Sequence, residues 1–466
     1  MVFSSIPFLF VFLLGVLAAY FLADRFFPRA RNLVLLVFSF GFYAIGEPKY
    51  ALLMVLTITI VYAAGRWIGA RRGTPAGKWL LYAGCTVPLV FLAFFKYTDF
   101  LLGTVNSLFG VNLPLLRLVL PVGISFYTFQ AISYVIDVYR DDVPVQKSWI
   151  DLATYVVLFP QLIAGPIVRC KDVARELQTR TSTMEGFANG VRRFTFGLGK
   201  KVLLANQLDM LCTACREDAA LSVLGMWLYA IGFTLQIYLD FSGYSDMAIG
   251  LGQVFGFRFP ENFNYPYISR SVTEFWRRWH MTLGGWFRDY VYIPLGGNRV
   301  SKAKHLRNIF VVWGLTGIWH GAGWNFLIWG LWYGVLLAIE KLWLLKKLDK
   351  APAVLQHIYT LFTVVIGFVI FNAADMSTAL LEIGGMFGLR GLPLVTESAL
   401  YTLQSFAVLL AMSIIASTPL CKRLVEKLEK TPVPALLEAP ATALILVLCT
   451  AWLVDGSFNP FLYFRF

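Results

Sequence analysis

The chain has 466 residues, 58% of them hydrophobic and only 14% charged. Soluble globular domains carry about 25% charged residues, so there is too little charge here to cover a water-facing surface, and an all-α polytopic integral membrane protein is expected, with no separate soluble domain. Lys+Arg 40 against Asp+Glu 27 gives a net charge of +13, and in a polytopic protein such an excess reports loops held at the cytoplasmic face, not nucleic-acid binding.

The first apolar run, SSIPFLFVFLLGVLAAYFLA, begins almost at Met1, lacks a basic leader and is followed by Arg25, Arg29 and Arg31. It reads as a first transmembrane helix and not as a cleaved signal peptide. Further candidate segments lie near 32–45, 49–65, 79–95, 117–136, 151–168, 220–240, 308–319, 325–340, 355–372, 399–418 and 434–453. Arg25/Arg29/Arg31 and then Arg66/Arg71/Arg72/Lys78 follow odd-numbered runs, which puts the N-terminus in the periplasm and these loops inside. The run 151–168 ends in PQLIAGPIV with basic residues beyond it, and reads as a re-entrant element lining a cavity. The polar stretch 257–307, rich in Arg and Lys, is expected at the cytoplasmic face. Runs 308–319 and 325–340 then form a hairpin with basic residues at both feet. A first arm of 12 residues spans only about 17 Å, so its turn at His320-Gly321-Ala322-Gly323 is expected no deeper than about mid-membrane.

Four histidines stand at 280, 305, 320 and 357, and an intramembrane ionisable group is a functional candidate by default. His320, in TGIWHGAGWNF, sits between Trp319 and Trp324 with glycines that let backbones approach closely. It reads as a base in a dry pocket, or as a buried histidine bridging helices. His280 ends FWRRWH beside Arg277 and Arg278. That pair fits either a phosphate or carboxylate clamp or ordinary interfacial anchoring. Asp240 and Asp246 interrupt an apolar run at QIYLDFSGYSDMAIG and could pair structurally with the FWRR arginines. Cys212 and Cys215 form a lone CxxC without a second pair or a nearby His, so they read as helix-face cysteines and no metal site is expected. No GxSxG elbow, Walker loop, GxGxxG after a strand or HExxH occurs in usable context, which removes the usual support for a serine hydrolase, an ATP-driven transporter and a metalloenzyme.

FWRRWHMTLGGWFRDYVYIPLGGNR, followed by TGIWHGAGWNFLIWG, resembles the membrane-bound O-acyltransferase (MBOAT) family. DFSGYSDMAIG, PVGISFYTFQAISYVIDVYR and FPQLIAGPIVR resemble its alginate O-acetylase branch, so the likeness covers most of the chain. It implies one MBOAT transmembrane domain over 1–466, a helical bundle with re-entrant segments around a central funnel. N-terminal helices would fill 1–140, the catalytic core 141–345 and C-terminal helices 346–466. The family's two characteristic histidines fall on His280 and His320, the second being the one held essential. Gly284-Gly285 stands where the branch often has Ser-Thr.

The activity so implied is O-acetyl transfer in a bacterial inner membrane, from a cytoplasmic acyl thioester such as acetyl-CoA, with no tightly bound cofactor. The acceptor would be an exopolysaccharide such as alginate, reached through a periplasmic acetyl-accepting protein. Cellulose, peptidoglycan or lipid acceptors, and a non-enzymatic export subunit, are the alternatives. His320 would act as general base and His280 as its companion; Trp319, Trp324 and Trp279 would exclude water, and Asn325 would donate to the oxyanion. Arg277, Arg278 and Asp246 complete the expected substrate-binding set.

Overall fold

The computed structural model describes residues 2–163, 165–428 and 433–456. Among them there is no strand, and eight helices are long and apolar enough to cross a bilayer. These eight coincide with eight of the twelve apolar runs, from Phe8–Phe26 to Leu436–Asp455. The other four runs became helices too short, too broken or too charged: Arg31–Gly46, Ile124–Arg140, the pair Trp149–Val157 and Phe159–Leu162, and Lys302–His320. The CKRLVEKLEK loop is helical over Leu420–Leu428, and its last two residues lie outside the described set.

The described residues divide into two compact units. One holds Met1–Phe194 and Tyr244–Pro260, the other Thr195–Gly243 and Glu261–Phe466. In the first, Tyr20 donates its hydroxyl to the carbonyl of Phe255 (2.8 Å), and Arg193 clamps Asp246 (2.9 Å). Asp246 therefore has an arginine, but not one from the FWRR segment. The broken run 149–162 also lies here, interrupted at Leu158, where ψ turns to 112°. Burial in protein supports this irregular backbone: Leu152–Val157 are buried and Phe159 N donates to Ser39 Oγ at 3.1 Å. Ala164 lies outside the described residues.

In the second unit the first hairpin arm is the helix Lys302–His320, 19 residues long. At 1.5 Å per residue it reaches about 28 Å, not 17 Å, so arm length no longer holds its tip at mid-membrane. The correction has a plain cause: KAKHLRN was counted as loop because it is charged, yet good helix formers at the foot of a span simply continue the helix. The second arm, Trp324–Ile339, packs on the first through glycines. A Cβ built on Gly317 would lie 2.4 Å from Phe326 O, and one on Gly330 would lie 2.3 Å from Trp313 O.

Candidate active site

All the residues of the site described here belong to the second unit. The FWRRWH segment folds as a short helix, Val272–Arg278. Its first amide groups, which have no partner within the helix, are met by Ser271 Oγ, accepting from Glu274 N, and by the carboxylate of Glu340. The two oxygens of Glu340 accept from Val272 N at 2.7 Å and Thr273 N at 2.8 Å. Glu340 is 1% exposed, and an anion at a helix N-terminus also complements the helix dipole. Arg278 forms an ion pair with Glu274 (2.9 Å) and donates to Asn264 O, while Arg277 is exposed.

After Trp279 the chain turns sharply. His280 takes the left-handed conformation, φ 46° and ψ 51°, and caps the next helix, Met281–Phe287. Such a conformation is uncommon outside glycine and concentrates at functional sites. The loop before it fixes the turn, since Met281 N donates to Asn262 O and the Asn262 side chain meets both His280 Nδ1 (3.0 Å) and Thr282 Oγ1 (2.8 Å). Burial pushes the His280 imidazole down to about 3, so it is neutral at any working pH.

Trp319 joins the two histidines: its ring lies 6.2 Å from His280 and 5.0 Å from His320. His320 is itself boxed edge-on by Trp329 at 5.0 Å and Phe371 at 5.2 Å. Trp279 stacks on Phe275 and contacts Phe263 at 5.1 Å. A cavity of about 190 Å³ adjoins this cluster, lined by His280 together with Trp276, Trp279, Gly284, Arg288 and Thr316, among others. A Cβ built on Gly284 would meet nothing within 4 Å, so the glycine leaves the cavity open there.

Of the residues singled out from sequence, His280, His320, Trp279 and Trp319 come together. The rest are engaged elsewhere. Trp324 is 52% exposed. Asn325 spends its amide N–H on Ala373 O (2.9 Å), tying the hairpin tip to the span Ala353–Asn372. Cys212 and Cys215 are buried on the helix Asn206–Glu217. The cavity brings in residues the sequence did not flag, Trp276 and Arg288 above all. The buried indole N–H of Trp276 has no hydrogen-bond partner among the described residues, and Arg288, 63% exposed and paired with Asp289, is on the cavity wall. Arg288 follows Trp286-Phe287 in a stretch rich in basic residues, where only Arg277 and Arg278 stand beside a histidine in sequence.

The described residues thus form a helical membrane protein in which two histidines flank one tryptophan and His280 lines a cavity. Residues 142–374 match MBOAT, the membrane-bound O-acyltransferase family. The chain is 39% identical to the probable alginate O-acetylase AlgI of Azotobacter vinelandii over 100% of both chains. It is 44% identical to the protein of the same name from Pseudomonas aeruginosa, over 89% of this chain and 81% of that one. It is 31% identical to the peptidoglycan O-acetyltransferase of Helicobacter pylori, over 100% of this chain and 98% of the other. The chain belongs to the membrane-bound O-acyltransferase family and is a multi-pass membrane acyltransferase.

Proposed function

We propose that this chain is an O-acetyltransferase that draws acetyl from a cytoplasmic thioester, acetyl-CoA or a similar donor, and passes it across the inner membrane for O-acetylation of an exopolysaccharide such as alginate. The observation that carries this reading is His280 on the cavity wall, joined through the Trp319 ring to His320, which lies outside the lining, in a chain similar end to end to a probable alginate O-acetylase. The acceptor hydroxyl attacks the thioester carbonyl and His320 takes its proton. The C–S bond then breaks and the leaving thiolate receives that proton, so the histidine returns neutral. Trp279 and Trp319, each 5% exposed, keep water from the thioester. Asn325 is the donor expected for the developing oxyanion; one of its two amide hydrogens is held by Ala373 O.

Because a polysaccharide is bulky and no sugar-binding domain is apparent in the sequence, the acetyl group is handed to a separate periplasmic protein that modifies the polymer. The test is reconstitution in liposomes with acetyl-CoA and polymer, with and without that partner. Efficient polymer acetylation by the chain alone would sink the relay. His320→Ala should lower acetylation by about 10² or more at unchanged membrane levels, and retention of more than about a tenth of wild-type activity would overturn the assignment of the base. Full-length similarity to a peptidoglycan O-acetyltransferase favours one second reading, the same chemistry on peptidoglycan. Measuring which polymer loses acetyl in the His320→Ala strain separates the two.

A further inference from the structure

We propose that Asn262 is a positioning residue that fixes the tautomer of His280, with the hydrogen on Nδ1 and the lone pair on Nε2. The argument begins with the Asn262 amide, whose Oδ1 lies 3.4 Å from Thr282 N, 2.8 Å from Thr282 Oγ1 and 3.0 Å from His280 Nδ1. A backbone N–H can only donate, so the Asn262 atom facing it is the amide oxygen and not the nitrogen. An amide oxygen can only accept, so the His280 nitrogen beside it carries the hydrogen. Asn262 is 0% exposed and His280 2%, so water does not compete for either partner. The backbone adds a second clamp, Met281 N to Asn262 O at 2.9 Å, which holds the loop against the turn.

The consequence, which rests on the acyltransferase reading above, is a role for His280 that excludes another. With its lone pair on Nε2, His280 meets the cavity as an acceptor: it takes a hydrogen bond from a hydroxyl or amide N–H of the bound substrate. It cannot donate through Nε2 to the oxyanion. The contacts on its ring from Phe241 and Trp319 are aromatic. The charged or titratable groups on the neighbouring walls are Arg288 and Tyr292 of the cavity, His320 beyond Trp319, and Asp240, next to Phe241 and already paired with Lys201.

Two measurements on the full-length protein in nanodiscs test this. The first is the ¹⁵N spectrum of imidazole-labelled protein, the His280 signals being those lost in His280→Gln. Nδ1 should fall in the protonated range and Nε2 in the unprotonated range, and the reverse would overturn the proposal. The second is Asn262→Asp, which puts a carboxylate at Nδ1, favours the imidazolium and so converts Nε2 from acceptor to donor. Its activity should approach wild type at high pH and gain an added acid limb, falling about tenfold per pH unit below the raised pKa of residue 280, beyond whatever limb the base His320 gives wild type. A wild-type pH profile in folded Asn262→Asp would overturn the proposal. A residue that merely capped the helix Met281–Phe287 would change stability without creating this limb. The spectrum decides the tautomer whether or not acyl transfer is detected, so failure of the enzymatic reading is recognised separately.

Discussion

Burial makes His280 a pH sensor of the folded state as well as a neutral group within it. The imidazole is held at about 3, below its ordinary 6.5, so the unfolded chain binds a proton there that the folded chain refuses between those values. The stability it contributes is whole above about 6.5 and is lost as pH falls toward 3. Thermal unfolding of the detergent-solubilised protein should therefore show a midpoint that declines with pH over that window, and the decline should be shallower in His280→Gln. Equal slopes in the two proteins would contradict the burial argument. Both histidines could be picked out from sequence because imidazoles are scarce and conspicuous in an apolar chain. Their supports could not: Asn262 stands in a polar loop and Glu340 at the foot of the hairpin, and nothing in the sequence announces that the first meets His280 or that the second meets the amides of Val272 and Thr273. Asn325 shows the opposite case. It neighbours His320 in sequence, but at the N-terminus of its helix its amide reaches a neighbouring span instead.

At the scale of elements, the hairpin Lys302–His320 and Trp324–Ile339 depends on bare backbone at its crossing. Gly317→Val should lower the protein's membrane level and thermal midpoint sharply, because even its Cβ would sit 2.4 Å from Phe326 O. Gly314→Ala on the same helix meets nothing within 4 Å and should be neutral, which makes it the control. The helical segments Met184–Gly199, Lys200–Ala205 and Asn206–Glu217 lie outside the apolar runs read from the sequence. Their Lys200-Lys201 pair breaks the apolar pattern, and charge in an apolar context reads as loop. Here Lys201 is 3% exposed and lies 2.6 Å from Asp240, on a segment that widens to a π-helix. A buried charge of this kind is tolerated only with its partner, which sequence position alone could not assign. Lys201→Met should destabilise the fold by about 3 kcal/mol or more, and adding Asp240→Leu should recover much of that loss. Additive losses in the double variant, measured by thermal unfolding, would show the pair to be uncoupled.

For the whole molecule, the distribution of Lys and Arg predicts an orientation, the N-terminus periplasmic and 257–307 cytoplasmic. A single cysteine at Ser301, in a chain stripped of its other cysteines, should resist membrane-impermeant maleimide applied to sealed cells and react once they are opened. Labelling from outside would reverse the whole topology, and with it the side from which the thioester enters. The chain also passes between its two compact units three times, after Phe194, Gly243 and Pro260. That path sets a timetable for synthesis. The ribosome finishes residues 1–194 early, yet Arg193 must wait for Asp246, Tyr20 for Phe255, and Gly190 for the close approach of Gly250. Nascent chains stalled with residue 243 just emerged should leave the amino-terminal helices open to protease, whereas chains stalled past 260 should protect them. Until those seventeen residues arrive, the earliest helices wait in the bilayer as an unfinished assembly, and their folding follows the delivery of a later piece rather than their own completion.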